Sequence, residues 1–248
     1  MTVSRERFLA VHDALCQEHG CPIDWFSSKD PLSELVSALL SHRTKNADSA
    51  RAYRALRDRF PSWEAVRDAP TPEVEAAIAP CTWPEQKAPR LQAVLKAIGD
   101  RRPAPDLFTA EAPGARGLSL DWLADLGVRE ARAWLETIPG VGPKTSAAVL
   151  LFSRLRMPAL PVDSHHHRVA QRLGWIPEKM PVGPSHEALE AMLPEEWGAR
   201  EVYDHHEVLM LHGQRVCHWR TPECERCVVL ELCPFGQRRQ EKVTSVET

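Results

Sequence analysis

The sequence predicts an all-α protein, and three observations support that class. Apolar residues recur at three- and four-residue intervals along most of the chain, which is the period of an amphipathic helix. Helix-starting residues stand ahead of such repeats, as where Thr71 is expected as an N-cap followed by Pro72. The one strand-like stretch, "PALPV" at 158–162, is too short and too rich in proline to build a sheet.

The helices are expected wherever these apolar repeats occur. The first begins near the N-terminus, where Phe8, Val11 and Leu15 share one face. The other expected helices, in chain order, are "PLSELVSALLSH" (31–42), "TPEVEAAI" (71–78), "QKAPRLQAVLKAI" (86–98), "SLDWLADL" (119–126), "VREARAWLETI" (128–138), "SHEALEAML" (185–193) and "DHHEVLMLHGQRV" (204–216). The proline-rich stretch between Gly99 and Gly117 is expected to be a surface loop.

The composition is that of an ordinary globular protein. Hydrophobic residues make up 43% and charged residues 26% of the 248 positions. No apolar run reaches the roughly 18–20 residues that cross a bilayer, and no signal peptide is recognisable, so we expect a cytoplasmic protein without membrane contact. Isolated disulfides are not expected there, and Cys16, Cys21 and Cys81 are interpreted as ordinary small residues. The net charge of −3 gives no general attraction to nucleic acid, so DNA binding would need a local basic patch.

Four of the seven cysteines lie close together near the C-terminus. Cys217, Cys224, Cys227 and Cys233 follow the spacing C-x6-C-x2-C-x5-C and end in Pro234. Structural zinc sites usually pair two C-x2-C units over a longer gap, whereas compact spacings that end in Cys-Pro suit an iron–sulfur cluster. The spacing favours a cluster and leaves zinc as the alternative.

A tight turn between two predicted helices brings glycine and lysine together. In "IPGVGPK", Gly140, Val141 and Gly142 form a turn whose amide groups can bind a phosphate, and Pro143 suits the first position of the next helix. Lys144 then lies in that helix's first turn. To attack carbon its amine must lose a proton, which burial in a desolvated pocket would favour. The alternative is that Lys144 is only another phosphate contact.

A second candidate, Asp163, precedes the helix that starts in "PVDSHHHRV". By itself, the Asp163–Ser164 pair is interpreted as a simple helix cap. Three consecutive helical residues point in different directions, so His165, His166 and His167 are not expected to bind one metal together.

Taken together, these motifs resemble the endonuclease III family of the helix–hairpin–helix DNA glycosylase superfamily. The resemblance runs from about residue 8 to 235. Four matching stretches occur in the family's order: "IPGVGPKTSAAVLLF", "PVDSHHHRV", "LHGQRVC" and the four-cysteine segment.

The resemblance implies two helical domains with a DNA cleft between them. One is a six-helix barrel with the helix–hairpin–helix motif, 29–157, and the other joins 1–28 to 158–248 and carries a [4Fe-4S] cluster on the four cysteines. It also implies a bifunctional DNA glycosylase and abasic-site lyase of base excision repair, acting as a monomer on double-stranded DNA that contains damaged bases, oxidised pyrimidines above all, or abasic sites. Lys144 matches the nucleophile that forms a Schiff base at C1′, and Asp163 matches the carboxylate that assists it, either electrostatically or by proton transfer. β-Elimination then nicks the strand.

The same resemblance assigns the DNA contacts. One phosphate would bind at the turn formed by Gly140, Val141 and Gly142, and the cysteine loop would present Arg220 and Arg226. Three departures from the family concern the remaining contacts. His42 stands where a glutamine often fills the gap left by the extruded base, and Thr82 and Trp83 replace a glycine and a leucine wedge. The stretch from Gly99 to Gly127 is also longer than in compact members.

Two other functions remain open on the sequence. A monofunctional glycosylase is one, although the relative of that kind lacks the lysine found at position 144. A non-catalytic iron–sulfur protein that binds DNA or senses redox state is the other. The acidic balance and the changed wedge residues motivate it, and the retention of both Lys144 and Asp163 argues against it.

Overall fold

The computed structural model describes residues 4–100 and 117–244. Over these ranges the chain is helical and contains no strand, which confirms the all-α prediction. The helices in chain order are α1 Arg5–His19, α2 Pro31–Ser41, α3 Asn46–Arg59, α4 Trp63–Asp68, α5 Thr71–Ala77, α6 Pro84–Asp100, α7 Val128–Glu136, α8 Pro143–Phe152, α9 Ser164–Leu173, α10 Val182–Glu190, α11 Ala199–Arg215 and α12 Pro234–Thr244. Within the same ranges, no helix is both long enough and apolar enough to cross a membrane.

The chain divides into two compact units. One is Ser27–Leu155, with α2 to α8, and the other joins Met1–Phe26 to Arg156–Thr248. Among its described residues, 27–100 and 117–155, the first unit has seven α-helices when the six-residue α4 is included. The domain boundaries implied by the family resemblance, 29–157 against 1–28 and 158–248, stay a prediction about functional domains.

Helices α2 and α8 form the centre of the 27–155 unit. They pack against each other, with α3 on one side of α2 and α7 on one side of α8. Leu35 and Val36 of α2 and Leu150 of α8 are fully shielded from solvent. Because α8 is buried from its third residue onward, its N-terminal turn is fixed in place by the core behind it.

In the second unit, α1 and α9 both pack on α11. Phe8, Val11 and Leu15 of α1 are buried on a single face, as the sequence predicts. α12 lies against α9, and the four-cysteine segment connects α11 to α12.

Two predicted helix features differ from the structure, and one predicted loop lies outside the described residues. Thr71 is the first residue of α5 rather than its N-cap, because its hydroxyl is hydrogen-bonded to Gln92 Oε1 at 2.7 Å and leaves the cap position to Pro70. The helix predicted at 119–126 is only a short 3-10 turn, Asp121–Asp125. The loop predicted between Gly99 and Gly117 falls, at 101–116, outside the described residues.

The interpretation of Cys16 and Cys21 as unpaired residues was wrong. Helix α1 ends at Gly20 in a left-handed conformation (φ 80°), which turns the chain back towards the last helical turn. The Cα atoms of the two cysteines are then 4.9 Å apart, within the range that a disulfide spans, and the two sulfurs are bonded.

Candidate active site

The turn between α7 and α8 depends on one glycine for its shape. Gly140 has φ +89°, a conformation that residues with a side chain rarely adopt. A Cβ there would lie 3.5 Å from Cδ of Arg90, so the arginine stem packs over the turn. The sequence predicts the special conformation of this residue correctly.

Gly142 differs from that prediction. Its backbone is extended (φ −105°, ψ −178°), a conformation open to any residue, and a Cβ would meet nothing within 4 Å. Gly142 is the N-cap of α8 and provides no side-chain cap. Pro143 has no N–H and the Thr145 N–H donates to the Gly142 carbonyl oxygen at 2.9 Å, so Lys144 contributes the N–H that an anion could bind at this helix start.

Lys144 lies in the first turn of α8 and is half-buried. The residues that follow it are held tightly, since Thr145 is only 4% exposed and the Ser146 hydroxyl donates to Glu136 Oε1 at 2.7 Å. The backbone of Lys144 is thus rigid, while its side chain reaches solvent. Full desolvation of the amine, which the sequence reasoning invoked, is not reached in the free protein.

His42 ends α2 close to this lysine. Its Nε2 is 3.2 Å from the Thr145 hydroxyl, which places the imidazole against the first turn of α8. Burial, together with the positive charges of Lys144, Lys87 and Arg90, lowers the pKa of His42 to about 4. The imidazole is therefore neutral at physiological pH, and three cations surround it.

Trp83 lies in the segment before α6, in the same unit as His42. It is 47% exposed and has φ 54°, which is unusual for a residue with a bulky side chain. The guanidinium of Arg43 lies 5.9 Å from the centroid of its ring. A flat apolar surface at this position is what an intercalating wedge needs.

Asp163 is the N-cap of α9, as the simple reading of Asp-Ser predicts. Its Oδ1 accepts a hydrogen bond from the backbone N–H of His166 at 2.7 Å. Burial acts to raise the pKa of Asp163, but His206, the bond from His166 and the other nearby imidazoles outweigh it and hold the pKa below its usual range. The carboxylate is therefore ionised at neutral pH. His166 is fully buried, and among the described residues no metal site forms around it.

The four C-terminal cysteines line one small cavity. All four carry free thiols. Cys224 opens a short 3-10 turn, and Cys233 directly precedes α12. Arg172 of α9 donates to the Cys217 sulfur at 3.1 Å, and the backbone N–H of Gly236 donates to the Cys233 sulfur at 3.4 Å.

These residues fit an iron–sulfur cluster. In the part of the chain that the structure describes, no three His, Cys, Asp or Glu side chains converge on a single metal ion. The four cysteines line one cavity, and four cysteine thiols are the ligand set that an iron–sulfur cluster uses. Burial raises the pKa of the Cys227 thiol to about 11, with the sulfurs of Cys233 and Cys217 acting in the same direction. Because burial disfavours the thiolate form, four thiolates at this position would need bound metal cations to stabilise them.

The two arginines predicted for DNA contact differ in their surroundings. Arg220 is exposed beside Trp219, whose ring is 70% exposed. Arg226 is also exposed, but it forms an ion pair with Glu223 and donates to the carbonyl oxygen of Arg215 at 2.6 Å. DNA contact by either arginine stays a prediction. The ion pair with Glu223 would weaken the attraction of Arg226 for a DNA phosphate.

The sequence reasoning did not single out Lys87, Arg90 or Arg43. Lys87 and Arg90 lie one turn apart on α6, on the side that faces the end of α2 and the glycine turn. Their i, i+3 spacing after the helix-starting Pro84 was the available signal. Nothing in the sequence alone indicates that this face meets His42.

Comparisons with known proteins show the family to which the sequence belongs. The sequence pattern of the family described as "HhH-GPD superfamily base excision DNA repair protein" matches residues 36–198. A protein of Arabidopsis thaliana named as a DNA glycosylase is 29% identical over 206 residues, which cover 83% of this chain and 64% of that protein. Endonuclease III of Thermotoga maritima is 29% identical over 211 residues and 85% of each chain.

The fold itself also has a counterpart among solved structures. A trapped covalent intermediate between endonuclease III and DNA has a TM-score of 0.74 and 21% identity, with 96% of this chain and all of that one covered. At this identity the likeness establishes the fold alone.

Proposed function

The chain belongs to the HhH-GPD superfamily of base excision DNA repair proteins, and from this premise we propose that it is a bifunctional DNA glycosylase and abasic-site lyase. Its substrate is double-stranded DNA with a damaged base, an oxidised pyrimidine in particular, or an abasic site. It acts as a monomer.

The observation that carries this proposal is the placement of Lys144. The lysine follows the Gly140–Gly142 turn in the first turn of α8, where no side chain caps the helix and the backbone N–H groups include its own. A phosphate held at those groups fixes the backbone of the nucleotide, so that the amine meets its sugar. The family match includes this stretch as well as His42, Trp83 and Asp163. The endonuclease III relative in the solved complex was trapped as a covalent intermediate with DNA, which supports the same chemistry here.

Lys144 supplies the nucleophile. Its unprotonated Nζ forms a bond to C1′ while the glycosidic bond breaks, and the base leaves with the bonding electrons and takes up a proton. Opening of the sugar gives a protonated Schiff base between Lys144 and C1′. Loss of a C2′ proton then expels the 3′ phosphate, which nicks the strand, and water releases the lysine. Extrusion of the nucleotide from the helix must come first, because C1′ cannot be reached inside the duplex.

Asp163 supplies a negative charge. Because its pKa is held below the usual range, the group is a carboxylate at neutral pH and stabilises the cationic sugar that develops as the base departs. Electrostatic assistance is therefore favoured over proton donation for this residue.

The four cysteines hold a [4Fe-4S] cluster, bound by Cys217, Cys224, Cys227 and Cys233. The cluster's contribution is structural, since thiolate bonds to iron organise a segment too small to have its own core. Arg172 prepares that segment by donating to the carbonyl oxygens of His218 and Trp219 at 2.7 and 2.9 Å. The loop then presents Arg220 to DNA.

A comparison of base release with strand nicking tests the proposal. Purified protein is incubated with a duplex that carries thymine glycol, and free base and nicked strand are measured over time without alkali. A bifunctional enzyme releases base and nicks the strand in the same reaction. Base release with nicking only after alkali would indicate a monofunctional glycosylase. DNA binding without either product would favour a non-catalytic protein.

A further inference from the structure

The side chain of Lys87 joins two segments that the proposed function places next to DNA. Its ammonium donates to the carbonyl oxygens of Leu40 and His42 at 2.7 and 2.8 Å and to the Thr44 hydroxyl at 2.7 Å. The two carbonyl groups belong to the C-terminal end of α2, where a positive charge is favoured. All three protons of the ammonium are used, so the lysine is fixed in one position.

Thr44 forms the other half of this arrangement. Its hydroxyl oxygen accepts from Lys87 and from the backbone N–H of Thr82 at 3.1 Å, and the hydroxyl donates to the His42 carbonyl at 3.3 Å. The segment after α2 is thereby attached to the segment before α6. We call this set of contacts the Lys87–Thr44 node. A bond from the Cys81 thiol to the Leu40 carbonyl, at 3.6 Å, links the same two segments.

Each segment carries a strained residue next to the node. Arg43 has φ 52° and Trp83 has φ 54°, both in the left-handed region that disfavours side chains. Such conformations persist only where the surroundings hold them, and they concentrate at functional sites. Both residues are exposed, and the guanidinium of Arg43 lies over the Trp83 ring. Because both residues are exposed, packing of the hydrophobic core does not explain why their strained backbone conformations are maintained.

We propose that Lys87 and Thr44 are positioning residues for duplex opening. They hold the Arg43 guanidinium and the Trp83 ring in fixed positions against each other. This pair, which we call the Arg43–Trp83 plate, enters the base stack when the damaged nucleotide is extruded. This inference rests on the proposed function, because it assumes a duplex substrate. It adds two residues that never touch the reacting atoms but decide whether a paired nucleotide can be reached. A purely structural role, capping the end of α2, is the competing explanation.

One matched pair of variants separates the two explanations. Thr44→Val keeps the shape of the side chain but removes the hydroxyl, whereas Thr44→Ser keeps the hydroxyl. The first readout is the fluorescence of 2-aminopurine placed opposite an abasic site in duplex DNA, measured with saturating protein. Unstacking brightens this base, so the wild type and Thr44→Ser should raise the signal, and Thr44→Val should not. A full rise with Thr44→Val would overturn the proposal, whether or not the protein has any catalytic activity.

The second readout compares nicking of an abasic site in duplex and in single-stranded DNA. No base pair has to be opened in a single strand. Thr44→Val should therefore lose roughly 10- to 100-fold in single-turnover rate on the duplex and much less on the single strand. An equal loss on both substrates would mean that the node only supports the fold. If the wild type nicks neither substrate, the proposed function fails, and the fluorescence experiment still decides the role of the node.

A double variant tests whether Thr44 acts through the tryptophan. Trp83→Ala alone should give the same duplex-specific loss, because the plate is gone. Thr44→Val added to Trp83→Ala should then cost nothing more, as expected for residues that act as one device. Losses that multiply in the double variant would contradict the proposal.

Discussion

His42 Nε2 and the Thr145 hydroxyl lie 3.2 Å apart, and this contact joins the end of α2 to the helix turn that carries Lys144. The two residues are 103 positions apart in the chain. Because burial and three nearby cations keep the imidazole uncharged, the contact is a neutral hydrogen bond rather than an ion pair. The contact fixes the position of His42, which is expected to fill the space left by the extruded base, relative to Lys144, the expected nucleophile.

Replacement of His42 by leucine should therefore destabilise the protein more than replacement by glutamine. Thr145 is only 4% exposed, so loss of its partner leaves a buried hydroxyl without a hydrogen bond, at a cost of about 1–3 kcal/mol. Glutamine has an uncharged polar end that can restore the bond. Urea unfolding of the wild type, His42→Leu and His42→Gln measures the difference. Equal free energies of unfolding for the two variants would contradict the assigned bond.

Asp163→Asn and Asp163→Ala should separate the cap from the charge. Asparagine still accepts the bond from the His166 N–H, so Asp163→Asn should keep its stability, whereas Asp163→Ala should lose about 0.5–2 kcal/mol with the cap. Both variants lack the carboxylate and should lose about 100-fold or more in base-excision rate. Thermal unfolding measures the stability of each variant, and single-turnover kinetics measure its base-excision rate. An Asp163→Asn protein with full activity would remove Asp163 from the mechanism.

Loss of Arg172 should release the cysteine loop. Its guanidinium donates to the Cys217 sulfur and to the carbonyl oxygens of Cys217, His218 and Trp219, a pattern that only a planar fork of donors can make. Arg172→Lys should therefore lower both the iron content per chain and the affinity for DNA. Arg238→Lys, on the exposed part of α12, is the matched control, because it makes the same charge-conserving change away from the cysteine loop. Iron content and DNA affinity that are unchanged in Arg172→Lys would show that the loop does not need this arginine.

Stability should fall as the pH drops below about 6.5. His12, His166 and His205 are buried in the second unit, and burial lowers the pKa of each, to about 3 for His166. The unfolded chain binds protons at these groups from about pH 6.5 downward while the folded chain does not, so stability is lost as the pH falls; for His166 the loss is about 1.4 kcal/mol per pH unit until the pH reaches its folded pKa of about 3. Glu207 acts in the opposite direction, because burial raises its pKa to about 7, but it is a single group.

His166→Leu provides the control for this pH dependence. Within the described residues both ring nitrogens of His166 lack a hydrogen-bond partner, so leucine should be tolerated. Unfolding midpoints measured between pH 7.5 and 4.5 should decline less steeply for this variant than for the wild type. Identical slopes for the two proteins would mean that His166 is not buried in its neutral form.

The sequence predicts those parts of the molecule that depend on local patterns. The helices follow from apolar periodicity, the left-handed Gly140 from its place in a tight turn, and the cap at Asp163 from its position before a helix. In contrast, the Lys87–Thr44 node joins residues 43 positions apart, and no local pattern indicates which partner such a lysine finds. The Cys16–Cys21 disulfide was missed for a different reason: the cytoplasmic expectation argued against a pairing that the turn at Gly20 makes geometrically easy.

Borohydride trapping tests the central claim, that Lys144 is the nucleophile, most directly. Wild-type protein and Lys144→Gln are incubated with duplex DNA that contains an abasic site, borohydride is added, and covalent protein–DNA complexes are separated on a denaturing gel. DNA binding by both proteins is measured in parallel. The account predicts a trapped complex with the wild type and none with Lys144→Gln, although that variant still binds the DNA. Trapping of Lys144→Gln at the wild-type level, or no trapping of a wild type that binds the DNA, would contradict it.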